Sequence, residues 1–313
     1  MRVRLKVLTP VHIGSGETLS RMDFVLRDGK VFVLDWAKIA DHFDYKTVEL
    51  LLLSKNLENF FQKVRIEGFS KYSMRFSSNK TLQREIRCAI RDPLSKDLYI
   101  PGSSVKGAIV RQLLMEFLKN EKKFLEKIVR IVRNSGRKLN WSVNFTKFDK
   151  EIEGNISSYE QLMGHSIVIS DFFPKRRCTG VVEKITIHLP KRNIHVYAEV
   201  IPEGTILEGE ITLRKDFGKV FAEFFCEVFD IKKIPDFPKD EKELLKKVGK
   251  FQLGYGTGFK NFTIWDILDE NSKRKILKIL KIKVKDPGDF PVSFKEVERL
   301  RERLGLVEIY EVV

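Results

Sequence analysis

The hydrophobic period of this chain changes twice. Near the start, Val3, Leu5 and Val7 alternate with Arg2, Arg4 and Lys6. A period of two is the mark of a half-buried strand. Past residue 100, Val105, Ile109, Leu113 and Phe117 recur every fourth residue and line one face of a helix. From residue 166 short apolar runs return, at 166–170, 185–188, 194–201 and 206–213. A helical pattern follows over 241–248, then an apolar run at 262–265. Strand, helix, strand, strand, helix, strand requires helices laid on a sheet. The expected class is α+β, with a modified ferredoxin-like or RRM-like core and large insertions. The aromatic signature of an ordinary base-stacking RRM is absent.

Local signals fill in the rest. Residues 24–34 read as a hairpin turning at Asp28-Gly29. Residues 12–17 read as a tight glycine loop, 37–64 as helical and 65–98 as mixed. Ser103 or Ser104 is expected to cap the helix that runs to about residue 120. A basic helix is expected over 121–134, a polar insertion over 135–160 and an aromatic-rich helix over 217–229. Ser293 with Glu296 has the spacing of a capping box for a last helix ending near Gly305. This divides the chain into a core domain over 1–266 and a basic helical extension over 267–313. The core domain carries insertions at about 24–98 and 121–160 and a basic hairpin at about 172–200.

The chain has 313 residues, with 58 Lys plus Arg against 43 Asp plus Glu, a formal charge of +15. A field of that sign attracts polyanions, nucleic acid foremost. The three cysteines, Cys88, Cys178 and Cys226, are far apart and form no Cys-x-x-Cys pair. That argues against a zinc or redox motif and suits a reducing cytoplasm. No apolar run reaches the ~18 residues of a membrane span. No cofactor is expected.

Three segments carry candidate chemistry. In Pro101-Gly-Ser-Ser-Val-Lys-Gly107 a lysine sits in the first helical turn, against the positive dipole end. Lys106 is better tolerated there if an anion binds, and Gly102 and Gly107 would let a phosphate approach the backbone. A serine-capped helix with a solvated lysine is the plainer alternative. The Gly254-Tyr-Gly-Thr-Gly258 loop lacks the setting of a dinucleotide or kinase loop. It marks a place where another backbone comes close, either RNA or the protein's own. Finally, Lys175, Arg176, Arg177, Lys184, Lys191 and Arg192 stand against one acid, Glu183, and suit a clamp on a single strand.

The five histidines show no metal-pair spacing, and the acidic residues form no cluster that marks a metal site. His12, in a glycine loop beside basic residues, is the one candidate acid or base for RNA cleavage.

Thr9-Pro-Val-His-Ile-Gly-Ser-Gly16, Ile100-Pro-Gly-Ser-Ser-Val-Lys-Gly107 and Leu253-Gly-Tyr-Gly-Thr-Gly-Phe259 occur in this order. Together they resemble the RAMP superfamily of CRISPR-associated proteins. Length and the opening loop are most similar to the fifth-subunit family of the type III-A Csm complex. The resemblance implies a glycine-rich loop before the last core strand and a place at the head of a multi-subunit complex. It implies binding to the 3′ part of a guide RNA (crRNA), contact with the backbone RAMP subunit, and a link to guide maturation in antiviral defence without being the obvious nuclease, with recruited nucleases among the candidate partners. RNA contacts would fall on Gly102, Ser103, Ser104, Lys106, Gly107 and Arg111, on His12 and Ser15, and on Lys260 beyond the Gly254, Gly256, Gly258 loop. The family's basic thumb would fall on 172–200, with Arg176, Arg177, Lys184, Lys191 and Arg192.

Two other functions fit the residues. One is a metal-independent endoribonuclease acting on CRISPR repeat RNA through His12. The other is a docking protein whose basic surface takes an acidic partner.

Overall fold

A computed structural model describes residues 1–54, 57–78, 82, 85–119, 166–189, 192–214, 238–257, 268–279, 283 and 294–312. The expected helices at 121–134 and 217–229, the insertion at 135–160 and the strand at 262–265 lie outside the described residues, as do Lys191, Gly258 and Lys260.

β1 (Arg2–Val7) lies within the first sheet. β11 (Ile206–Leu213) runs antiparallel along one side of it and β15 (Leu306–Glu311) along the other. β7 (Ile167–Ile169) and β8 (Phe173–Pro174) pair with β11, and β12 (Lys250–Gln252) pairs with β15. α4 (Gly102–Lys119) packs on β7 and β12, and α5 (Glu241–Val248) on β11 and β15. Val3, Leu5 and Val7 are fully buried, as the alternation predicts, each contributing about 1.5–3 kcal/mol. Val105, Ile109 and Leu113 form the buried stripe of α4. The strand expected last in the order, at 262–265, is not among the described residues; the protein is of the mixed α+β class, built on two sheets.

The second sheet runs β2 (Gly14–Leu19), β6 (Ile86–Ala89), β10 (Asn193–Val200), β9 (Val181–His188), β5 (Ser70–Phe76), β4 (Lys30–Leu34), β3 (Phe24–Arg27). β13 (Phe294–Val297) adds to β9, and β14 (Glu302–Arg303) to β13. The β3–β4 hairpin turns at Asp28 and Gly29, both at positive φ as a two-residue hairpin turn requires. Its alternation is buried on both faces. Phe24, Val31 and Val33 join one cluster with Met74, Ile86 and Val182. Val25, Phe32 and Leu34 join another with Ile39, Leu51 and Phe61. Those last three come from α1 (Trp36–His42), α2 (Tyr45–Ser54) and α3 (Leu57–Gln62), the short helices of the 37–64 segment.

Several expectations are corrected. Residues 14–19 form an edge strand: β2 pairs with β6 across an irregular register between Gly14 and Thr18. The Ser293/Glu296 capping box is a coincidence of spacing. Residues 294–297 form β13, Arg301 and Gly305 turn the chain at positive φ, and Val297 and Leu304 are buried. Among the described residues of 267–313 helix is confined to α6 (Glu270–Ile279), while residues 294–311 supply strands to both sheets. Over 181–200 the basic hairpin is no free-standing arm, because β9 and β10 are inner strands.

Candidate nucleic-acid interface

The glycine loop is pressed against the protein's own backbone. A Cβ at Gly254, which sits at φ +61, would fall 2.3 Å from the His12 carbonyl oxygen. One at Gly305 would fall 2.4 Å from the Leu253 oxygen. The Tyr255 N–H donates to the His12 oxygen at 2.9 Å, and Gly305 N–H to the Pro10 oxygen at 2.8 Å. The close backbone foreseen for this loop is thus the opening segment and the β14–β15 turn. The Tyr255 ring lies under Lys295 Nζ at 3.9 Å and Arg87 at 5.0 Å, and meets the His12 ring edge to face.

His12 is 3% exposed, and its Nδ1 lies 2.6 Å from the Glu199 carbonyl oxygen. Burial pushes its pKa below the ordinary value, helped by the nearby Arg87 and Lys295 charges. A neutral, enclosed imidazole that donates Nδ1–H to a carbonyl serves as a structural joint. Glu199 anchors that joint. Its buried carboxylate takes the Arg91 guanidinium and the Ala89 N–H, while Arg91 also stacks on Tyr72 at 4.1 Å. Burial pushes the Glu199 carboxyl upward, against the pull of Arg91. The neighbouring Cys88 thiol is pushed up to about 12 by burial and the Glu199 charge, which makes it a packing group.

α4 begins at Gly102, one residue before the expected caps, and its cap is remote. Asp171 Oδ1 accepts the Gly102 N–H at 2.8 Å. A protein carboxylate thus already meets the helix N-terminus. Gly102 serves close packing too, because a Cβ there would meet the Ile169 oxygen at 2.3 Å. Gly107 differs: a Cβ there would meet nothing within 4 Å. Ser103 and Gly107 are exposed, and Ser104, Lys106 and Arg111 are half-buried. Ser15 is exposed, and its hydroxyl is used locally, donating to the Cys88 oxygen and accepting from Glu17 N–H.

The cations of β1 meet carboxylates of the strands beside them. Arg4 Nε donates to Glu208 Oε1 at 2.8 Å, and Arg2 stands 3.5 Å from Glu210. Lys6 faces Glu308 across the β1–β15 register. The basic span 172–195 is divided. Lys184 pairs with Glu298 at 2.6 Å, and Lys175 with Glu208 at 3.6 Å. Arg176, Arg177 and Arg192 are exposed with no carboxylate partner among the described residues. Glu183, the one acid of the span, is buried and engaged by Arg299. Among the described residues no group of three His, Cys, Asp or Glu could hold a metal ion, and no helix is long and apolar enough to cross a membrane.

The sequence model of the RAMP superfamily matches residues 4–262, and the chain belongs to that superfamily. Within it, the chain is homologous to Csm5 of type III-A CRISPR Csm complexes. The CRISPR system Cms protein Csm5 of Methanocaldococcus jannaschii is 22% identical over 88% of this chain and 75% of the relative. That of Streptococcus thermophilus is 25% identical, over 88% and 82%. Among solved structures, a chain of a Csm–crRNA–target RNA ternary complex of a type III-A system superposes with a TM-score of 0.62. It is 19% identical, covering 99% of this chain and all of that one. The crystal structure of T. onnurineus Csm5 gives 0.55 at 18% identity, covering 97% and 99%.

Proposed function

We propose that this protein is the Csm5-like subunit of a type III-A Csm–crRNA complex and holds the 3′ part of the guide RNA at the head of the assembly. Homology to Csm5 over 88% of the chain carries the reading. The net charge of +15 and the exposed, unmatched Arg176, Arg177 and Arg192 support it. The RNA-facing groups are Ser103, Ser104, Lys106 and Gly107 at the start of α4, with those arginines. Gly102, His12, Gly254 and Gly256 act indirectly by fixing the backbone that presents them. The core is a modified ferredoxin-like, RRM-like unit. The protein contacts the backbone RAMP subunit, takes part in guide maturation without cleaving RNA itself, and serves antiviral defence.

Co-expression of the protein with its partner subunits and a CRISPR array tests this. The expected result is copurification of the backbone subunit with short RNAs sharing a 5′ repeat tag. A complex that assembles with normal guide RNA in the absence of this chain, and excludes it when present, overturns the reading.

A further inference from the structure

A cleft of about 830 Å3 opens between the β4–β5 edge, the segment after β8 and the loop before β11. Lys30, Arg75, Lys175, Arg176 and Arg177 line it with Thr205, and no acidic residue does. Arg176 and Arg177 had been marked as basic by sequence. Lys30 and Arg75 had not, because they are far apart in sequence and only the β4–β5 pairing brings them together. Several other surface cations of the sheets are matched: Arg2 with Glu210, Arg4 with Glu208, Lys250 with Glu308. Here Lys30, Arg75, Arg176 and Arg177 have no carboxylate partner among the described residues, and Lys175 alone reaches one, Glu208.

The placement of Lys30 and Arg75 adds a second observation. They are direct cross-strand partners in the β4–β5 register, both exposed. Like charges directly opposite one another on a sheet destabilise it. Four uncompensated cations converging on one concave surface, two in the least favourable pairing a sheet offers, define a site whose missing component is a polyanion.

We infer that this cleft seats consecutive phosphates of a single-stranded RNA, as a second anchor apart from the start of α4. The inference rests on the proposal that the protein binds RNA. A single-stranded phosphodiester backbone fits better than an acidic protein segment. Its lining sets five cations and the hydroxyls of Ser73, Thr179 and Thr205 beside Met74, Pro202 and Ile206, and guanidinium forks are matched to phosphate oxygens. Its contacts are to phosphate, so it holds RNA without reading sequence.

The test uses the full chain and its Lys30→Glu variant, with a labelled single-stranded RNA of mixed sequence and, separately, polyglutamate. Lys30→Glu converts the repulsive pair into an attractive one. It is expected to raise Tm by about 1–3 °C while weakening RNA binding about tenfold and lowering the salt slope by about 0.7 or more. Arg176→Glu, on the opposite wall and outside any strand, is expected to cause a similar loss. Higher Tm with lower RNA affinity supports the inference, because a purely structural role for Lys30 would not link the two. Wild-type binding that both variants retain overturns the cleft and leaves the RNA reading standing. Loss of polyglutamate binding with RNA binding intact overturns it in favour of an acidic protein. A folded wild type that binds no RNA removes the RNA reading and the inference with it.

Discussion

Gly256 lies so close to Leu304 that a Cβ on it would fall 1.8 Å from the Leu304 carbonyl oxygen. The glycine loop and the turn into the last strand are thus two faces of one backbone contact, with no room for a side chain between them.

Gly256→Ala must push this turn away from the loop, and both clashing groups are backbone. It is expected to destabilise the protein by about 3 kcal/mol or more. Denaturant unfolding measures it; a change within about 0.5 kcal/mol would show that the two segments separate freely.

The two glycines of the α4 motif should behave oppositely. Gly102→Ala drives a methyl into the Ile169 carbonyl and should destabilise strongly. Gly107→Ala meets nothing in the protein and should stabilise the helix by about 0.5–1 kcal/mol. If Gly107 is kept for close approach of RNA, that stabler variant binds RNA more weakly. Equal RNA affinity for Gly107→Ala and wild type would remove Gly107 from the interface.

Lys106→Glu is expected to weaken single-stranded RNA binding for all sequences alike and to lower the salt slope by about 0.7. Titrations at several salt concentrations read this directly. In contrast, alanine at Arg2 and Arg4, whose charges Glu210 and Glu208 already meet, should leave RNA affinity within about twofold. A larger loss would make the β1 face part of the interface.

The His12 joint carries a pH dependence of definite sign. Its folded pKa lies below 6.5 because the site is buried. Between the folded value and about 6.5 the unfolded chain binds a proton that the folded chain refuses. Stability is therefore full above about pH 6.5 and falls as the pH drops below it. His12→Asn, which retains a donor toward the Glu199 carbonyl, should lose this component. Unfolding free energies compared between about pH 5 and 8 test it; identical slopes in the two proteins would disprove it.

Removing the remote cap, as in Asp171→Ala, is expected to cost about 1 kcal/mol. Thermal unfolding should show this with α4 still folded, since Val105 and Ile109 remain buried.

What was legible in the sequence was local. The alternation of β1, the Asp28-Gly29 turn and the helical pattern of α5 all depend on residues within a few positions. The start of α5 is likewise held locally, Asp240 Oδ1 accepting from the Glu243 N–H at 2.8 Å. What was illegible joins residues far apart. Nothing near Arg4 foretells Glu208, and nothing near Gly102 foretells Asp171. The basic stripe of β1 has its acidic partners on strands that lie far away in sequence. The misreading of residues 293–305 has the same origin. Ser293 and Glu296 imitate a helix start, and the strand state wins because β9 and β1 each offer an edge that the local spacing cannot reveal. The superfamily motifs were legible as markers, but their job was not: Gly102, Gly254 and Gly256 hold protein to protein.

The position of β15 bears on how the chain is made. It sits between β12 and β1, with Val3 facing Glu311. During synthesis β1 leaves the ribosome first, and its neighbour emerges only some 300 residues later. For all that time one edge of an apolar strand stays open, which is the condition that invites pairing with the wrong chain. The sheet closes only once residues 306–311 have emerged, in a late, non-local and therefore slow step, so nascent chains truncated before residue 306 should be captured by holdase chaperones where longer ones escape.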